Sequence, residues 1–217
     1  MRNLLMKEFK LATPVLTYLF IGFALMTFIP GYPILCGAFF VCMGIFQSYQ
    51  INRESNDILY SVLLPVSKSD VVKGKYLAVA VLQMAAFFLC FVCTLVRMTK
   101  LSNVFVYETN VLMPANFVYL AFVLLIFACF NAIFLGGFFK TAYYIGKPFI
   151  FFIVVNFIII AVAEALHYMP GLGWTNALDF SFLGKQAISL VVAIIIYVAT
   201  TIVSCRKSCL RFQRIDL

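Results

Sequence analysis

Six long apolar stretches, residues 11–29, 33–51, 76–96, 117–139, 148–166 and 187–204, occupy most of this 217-residue chain. Each is close to the roughly 20 residues that a helix needs to cross about 30 Å of hydrocarbon. Lipid offers no partner to an unpaired backbone amide, so such stretches span as helices. With 65% hydrophobic and 11% charged residues, little remains for a soluble core or a soluble catalytic domain. The expected fold class is all-α: one polytopic transmembrane domain over residues 1–217 with six transmembrane helices. Lys7, Glu8 and Lys10 directly precede the first stretch, which has no clear small-residue cleavage site and reads as retained, not as a signal peptide.

The connections alternate in charge. Arg2, Lys7, Lys10, Arg53, Lys68, Lys73, Lys75, Lys140, Lys147, Arg206, Lys207, Arg211 and Arg214 fall on one set, and only Arg97, Lys100 and Lys185 on the other. Thirteen against three is a strong positive-inside bias and places both termini in the cytoplasm. The net charge of +8 is therefore a topological signal and not a nucleic-acid footprint. Aromatic residues fit the same frame, with Tyr32, Tyr107, Tyr168 and Trp174 near the outer boundary and Tyr49, Tyr143 and Tyr144 near the inner one.

Residues 1–10 mix apolar Leu4, Leu5 and Phe9 with charged neighbours, as expected of a short helix lying in the inner interface before the chain turns into the bilayer. The longest cytoplasmic connection, residues 52–75, reads NRESNDILYSVLLPVSKSDVVKGK. Ser55 or Asn56 can cap a short helix in which Ile58, Leu59, Val62 and Leu63 form an apolar ridge, and Pro65 ends it. Ser67 to Asp70 then resembles a capping box leading into the third span. The ridge either rests on lipid or docks a soluble partner.

Ala128, Ala132 and Gly136 recur every four residues in the fourth span, a spacing that lets another helix approach closely. Glu164, one turn before His167 at the outer end of the fifth span, is a candidate for a pathway or outer gate. The alternative is that Glu164 reaches water or pairs with His167. Cys90 and Cys93 have CxxC spacing but lie inside an apolar run, away from the exposed helix starts where such thiols react. Cys205 and Cys209 share a face at the inner boundary, yet two thiols are half a zinc site and the one histidine is expected on the other side, so no metal site is assigned.

The sequence holds no HExxH, no Gly-x-Ser nucleophile segment and no phosphate-binding GxxxxGK[ST] loop. The chain is therefore expected to be no enzyme and to bind no cofactor. If ATP drives it, another polypeptide supplies the engine.

The run from Asn56-Asp57-Ile58-Leu59-Tyr60 through Pro65-Val66-Ser67-Lys68 to Val71-Val72-Lys73-Gly74-Lys75-Tyr76-Leu77, with the amphipathic start Leu4 to Phe9 and a basic tail, resembles the small ABC-2-type permeases of bacterial ABC exporters. Lys68 stands where related permeases often carry Arg. Within the family the chain is similar to permeases that export phenol-soluble modulins, which are amphipathic peptide toxins. The resemblance implies a plasma-membrane permease that pairs with a second copy or a related permease, works with separate ATPase subunits carrying ATP and Mg2+, and exports a hydrophobic or amphipathic cargo such as a peptide toxin or antimicrobial. It further implies that residues 56–64 form a coupling helix, with Ile58, Leu59, Val62 and Leu63 in the buried contact and Glu54 and Asp57 at its polar rim. Two other readings remain: an ion-coupled secondary transporter, which would need carboxylates or broken helices at mid-depth, and a non-transporting scaffold or immunity protein.

Overall fold

A computed structural model describes residues 2–102, 104–108, 110–178 and 182–215, apart from the side chains of Arg2, Glu108 and His167. Among the described residues no strand occurs, so the all-α expectation holds. The chain starts with α1, Arg2–Lys7, which widens into a π-turn over Glu8–Ala12. Thr13 (φ −106°, ψ 107°) and Pro14 (φ −70°, ψ 155°) are extended, because the α region is disfavoured before a proline and the ring removes a helical donor. Helix resumes as α2, Val15–Ile21, and tightens into a 3-10 segment over Gly22–Phe28. The arms on either side of the break stand at 91°. Leu11 and Ala12, expected inside the first span, belong to the first arm.

Among the described residues, four helical stretches are individually long and apolar enough to cross a membrane: α5 (Lys68–Lys100), the continuous stretch Phe117–Phe138, α9 (Gly146–Ala165) and α10 (Leu183–Gln213). The bent N-terminal pair makes a fifth if taken as one span. Helix α3, Cys36–Glu54, corresponds to the second apolar stretch, but its C-terminal half carries Gln47, Ser48, Gln50, Asn52, Arg53 and Glu54. Four to five spans thus stand against the six expected. Short α4, Asp57–Leu63, sits between α3 and α5 as the sequence requires, and α6, Phe105–Glu108, lies in the connection after α5.

Helix starts follow local chemistry. Ser67 Oγ accepts from the Asp70 amide at the head of α5. Asn116 Oδ1 accepts from the amides of Val118 and Tyr119 at the head of α7, Phe117–Cys129. α7 continues through a π-turn, Phe130–Leu135, into a last turn α8, Gly136–Phe138. This composite helix is the most enclosed of the spanning stretches, and α10 the least.

α10 and α5 pack on α7, and α9 packs on α7 and on its π-turn. Phe134 sits among the rings of Phe46, Tyr49, Phe130, Phe138 and Phe149, and so joins α3 and α9 to the π-turn. α2 closes against α3 at two glycines. A Cβ on Gly44 would lie 2.4 Å from Phe20 Cβ, and one on Gly37 would lie 2.7 Å from the Phe23 carbonyl oxygen. Thr17 Oγ1 spans the same contact, donating to the Gly44 carbonyl at 3.0 Å.

Candidate functional site

At the end of the bundle that carries most of the basic residues, three elements distant in sequence meet in a cluster of four charges. Lys75, at the base of α5, reaches Glu8 Oε2 at 3.1 Å and Asp57 Oδ2 at 2.7 Å. Lys7 reaches Glu8 Oε1 at 3.1 Å and Asp57 Oδ1 at 2.5 Å, and donates to Ser61 Oγ at 2.6 Å. Lys75 is only 2% exposed. Ion pairs this deep add little net stability over well-packed apolar groups, but removing one member strands a charge in a poor solvent. The cluster fixes a geometry: the N-terminal arm, α4 and the start of α5 are pinned to one another. Burial alone would push the Asp57 carboxyl up, but the fields of Lys75 and Lys7 and their hydrogen bonds outweigh it and hold it below its usual range.

α4 begins from Asn56, which adopts the left-handed conformation (φ 53°, ψ 31°) and supplies no side-chain cap. Asparagine tolerates that region better than most residues. The helix ends where Leu64 turns extended ahead of Pro65. Between these limits the expected ridge splits. Ile58 is buried in the core and Val62 packs half-buried against it, whereas Leu59 and Leu63 are exposed beside Tyr60 and Leu64. Ile58 thus packs into the chain's own interior and Asp57 joins the ion cluster, while Leu59 and Leu63 face outward. Glu54 is exposed. A cavity of about 210 Å³ opens beside α4 and is lined by Tyr49, Asn52, Arg53, Asn56, Leu59 and Tyr143 among others.

A second polar constellation lies inside the spans. Gln83 on α5 and Asn131 on the π-turn exchange two amide hydrogen bonds of 3.0 Å. Asn131 Nδ2 also donates to Thr201 Oγ1 at 3.0 Å, and the Tyr197 hydroxyl donates to Gln83 Oε1 at 2.9 Å. The π-turn displaces backbone carbonyls from helical partners, and Ser204 Oγ donates to the Asn131 carbonyl at 2.8 Å. Ser204 and Ser208 also meet the Tyr76 hydroxyl at 2.8 and 2.9 Å. Sequence reading missed this network, although amides within apolar spans were the available signal.

In the small-residue stripe Ala128 and Gly136 are buried, with Gly136 facing Ser204 of α10, while Ala132 is exposed. Glu164 Oε2 accepts from the Met113 amide at 2.7 Å, which ties α9 to the connection before α7. The His167 side chain lies outside the described residues. Arg97, read as an outer-loop cation, is instead buried, donating to the Thr27 carbonyl at 2.6 Å with its guanidinium 4.5 Å from the Tyr107 ring centre. Cys90 and Cys93 are buried free thiols, and the described residues contain no cluster of metal ligands.

A family model described as "ABC-2 family transporter protein" matches residues 3–213, spanning the N-terminal arm, α4 and all the long helices. Neither the curated proteins nor the solved structures give a match.

Proposed function

Because the chain belongs to the ABC-2 transporter family, we propose that it is one of two permease subunits of an ATP-driven exporter for a hydrophobic or amphipathic cargo in a bacterial plasma membrane. Membership makes it the membrane component of an ABC transporter, a family whose members work with separate ATPase subunits. The finer reading has the partner ATPases hold ATP and Mg2+, and a second copy or a related permease complete the pathway. An amphipathic peptide, toxin or antimicrobial, is the cargo class that suits helices built of Phe, Leu, Ile and Val. Six spans follow if the α2 arm and α3 form a first hairpin ahead of the four long stretches. Both termini and α4 then lie in the cytoplasm, as the alternation of basic connections favours.

The observation that carries this reading is the ion cluster behind α4. A coupling helix must transmit force, and α4 is pinned on its inner side to both the N-terminal arm and α5 while Leu59, Tyr60, Leu63 and Leu64 stay outward. Displacement of α4 would thereby pass into α5 without slack.

The test is Leu59→Ala combined with Leu63→Ala, assayed by recovery of the ATPase that accompanies the chain from its native membrane and by transport. A hot-spot residue contributes ~2 kcal/mol or more, so the loss of even one such contact weakens ATPase association by about 30-fold while membrane levels stay normal. Substituting Ser102 and Asn103 in the connection after α5 serves as the control and changes neither. Full ATPase association and full export by the double variant would overturn the coupling role of α4.

A further inference from the structure

α10 is 31 residues long, or about 46 Å at the helical rise, so its final turns project beyond a hydrocarbon layer of roughly 30 Å. Those turns carry Arg206, Lys207 and Arg211, and Arg214 follows at the C-cap; all four are exposed. Directly above them a trough of about 400 Å³ runs between α10 and the π-turn, lined by Ala132, Gly136, Ala199, Val203, Lys207 and Arg211 among others. Lys207 and Arg211 also line an adjoining hollow of about 330 Å³ with Leu210 and Arg214. The two spaces meet at Lys207 and Arg211 as a groove that is apolar along the helices and cationic toward the end of α10.

Among the described residues, no carboxylate pairs with Lys207, Arg211 or Arg214. Arg211 is positioned from within, its Nη1 donating to the Gly136 carbonyl at 3.1 Å. The trough is open because Ala132, Gly136 and Ala199 leave no bulk along its walls.

We propose that this groove binds one anionic phospholipid of the leaflet on the basic side, its phosphate held by Lys207, Arg211 and Arg214 and an acyl chain lying along Ala132, Ala199 and Val203. Charge complementarity selects the headgroup, since basic pockets between spanning helices favour anionic lipid on the cytoplasmic side. The apolar trough at right depth selects a lipid over a free anion. The site is separate from α4 and does not depend on transport.

The experiment is native mass spectrometry of the purified full chain released from nanodiscs containing phosphatidylglycerol and phosphatidylcholine, counting retained phospholipid. One phosphatidylglycerol per chain is expected, in preference to phosphatidylcholine. Lys207→Gln combined with Arg214→Gln lowers its retention by about 25-fold, about fivefold per cation. Ala199→Leu, which fills the trough and keeps every charge, abolishes retention. Lys140→Gln combined with Lys147→Gln removes two cations elsewhere on the same end and leaves retention unchanged.

Three results would overturn the proposal. Equal loss on removing Lys140 and Lys147 would mean diffuse surface attraction. Unchanged retention in the Ala199 variant would leave the trough empty. Displacement of phosphatidylglycerol by millimolar inorganic phosphate would mark a free-anion site. Thermal melting of each variant in the same detergent checks folding, and an Ala199 variant that fails to fold is replaced by Val203→Phe, for which the same loss is expected.

Discussion

Replacing Lys75 with methionine keeps an unbranched, flexible stem one atom shorter and removes its charge, leaving Glu8 and Asp57 to share Lys7 alone. Their side chains are 5% and 12% exposed, and that of Lys7 is 18% exposed. Removing one partner of a buried ion pair costs about 3–5 kcal/mol, and the partial access of water to Asp57 and Lys7 sets the expectation at the lower end, about 3 kcal/mol. For a domain of this size the melting temperature falls by roughly 2–4 °C per kcal/mol, giving a drop of about 6–12 °C. Cys42, Cys90 and Cys93 are free and buried, so a thiol-reactive dye reports their exposure as the detergent-solubilised protein is heated. The second half of the test is a cycle with Asp57→Asn. The doubly substituted chain keeps Lys7 and Glu8, 3.1 Å apart, as a balanced pair. Its loss is therefore smaller than the sum of the single losses by about 1–3 kcal/mol. A Lys75→Met melting temperature within 2 °C of the parent, or strict additivity in the cycle, would refute the claim that the four charges act as one unit.

The Asp57 carboxyl is held below its usual range, so its stabilising contribution is complete above the unfolded value of about 3.9 and is lost as pH falls through the lower folded value. The melting difference between the parent and Asp57→Asn accordingly stays constant from pH 7 to about pH 4 and shrinks only below that; shrinkage beginning near pH 6 would contradict the assignment. Asn131→Leu strands the Gln83 amide inside the bundle and costs about 1–3 kcal/mol, whereas adding Gln83→Leu recovers part of the loss in the same melting assay. Gly44→Ala and Gly37→Ala each overpack the α2–α3 contact and cost about 1–3 kcal/mol, while Gly22→Ala, with open space around it, changes stability by no more than about 0.5 kcal/mol.

The long helices were legible because lipid imposes an apolar length that little else in a sequence imitates, and Pro65 marked the end of α4 locally, whereas the break at Pro14 lay inside an apolar stretch that read as one span. The phase of α4 was not legible. A helix of seven residues has no periodicity long enough to orient it, and the left-handed Asn56 sets which of Ile58 and Leu59 turns inward. Lys7, Lys75 and Arg97 were counted as topological charges because a sequence shows where a cation lies along the chain, not what faces it. Likewise Gln83 and Asn131 are 48 residues apart, and only the packing of α5 on α7 makes them partners. The π-turn leaves no signature in composition, yet it holds Asn131, whose carbonyl Ser204 reaches from α10.

Neighbouring residues at the base of α5 have their partners at opposite ends of the chain. Lys75 binds Glu8, 67 residues earlier, and Tyr76 meets Ser204 and Ser208, 128 and 132 residues later. Synthesis runs in one direction, so the first of these ties can close as soon as α5 leaves the ribosome, while the second waits for nearly the whole polypeptide. Membrane assembly thus has a built-in order, with the N-terminal arm settled early and α10 arriving last. A nascent chain arrested before residue 204 holds its first charges in place with the Tyr76 hydroxyl still lacking both serines, and only completion of α10 closes the bundle.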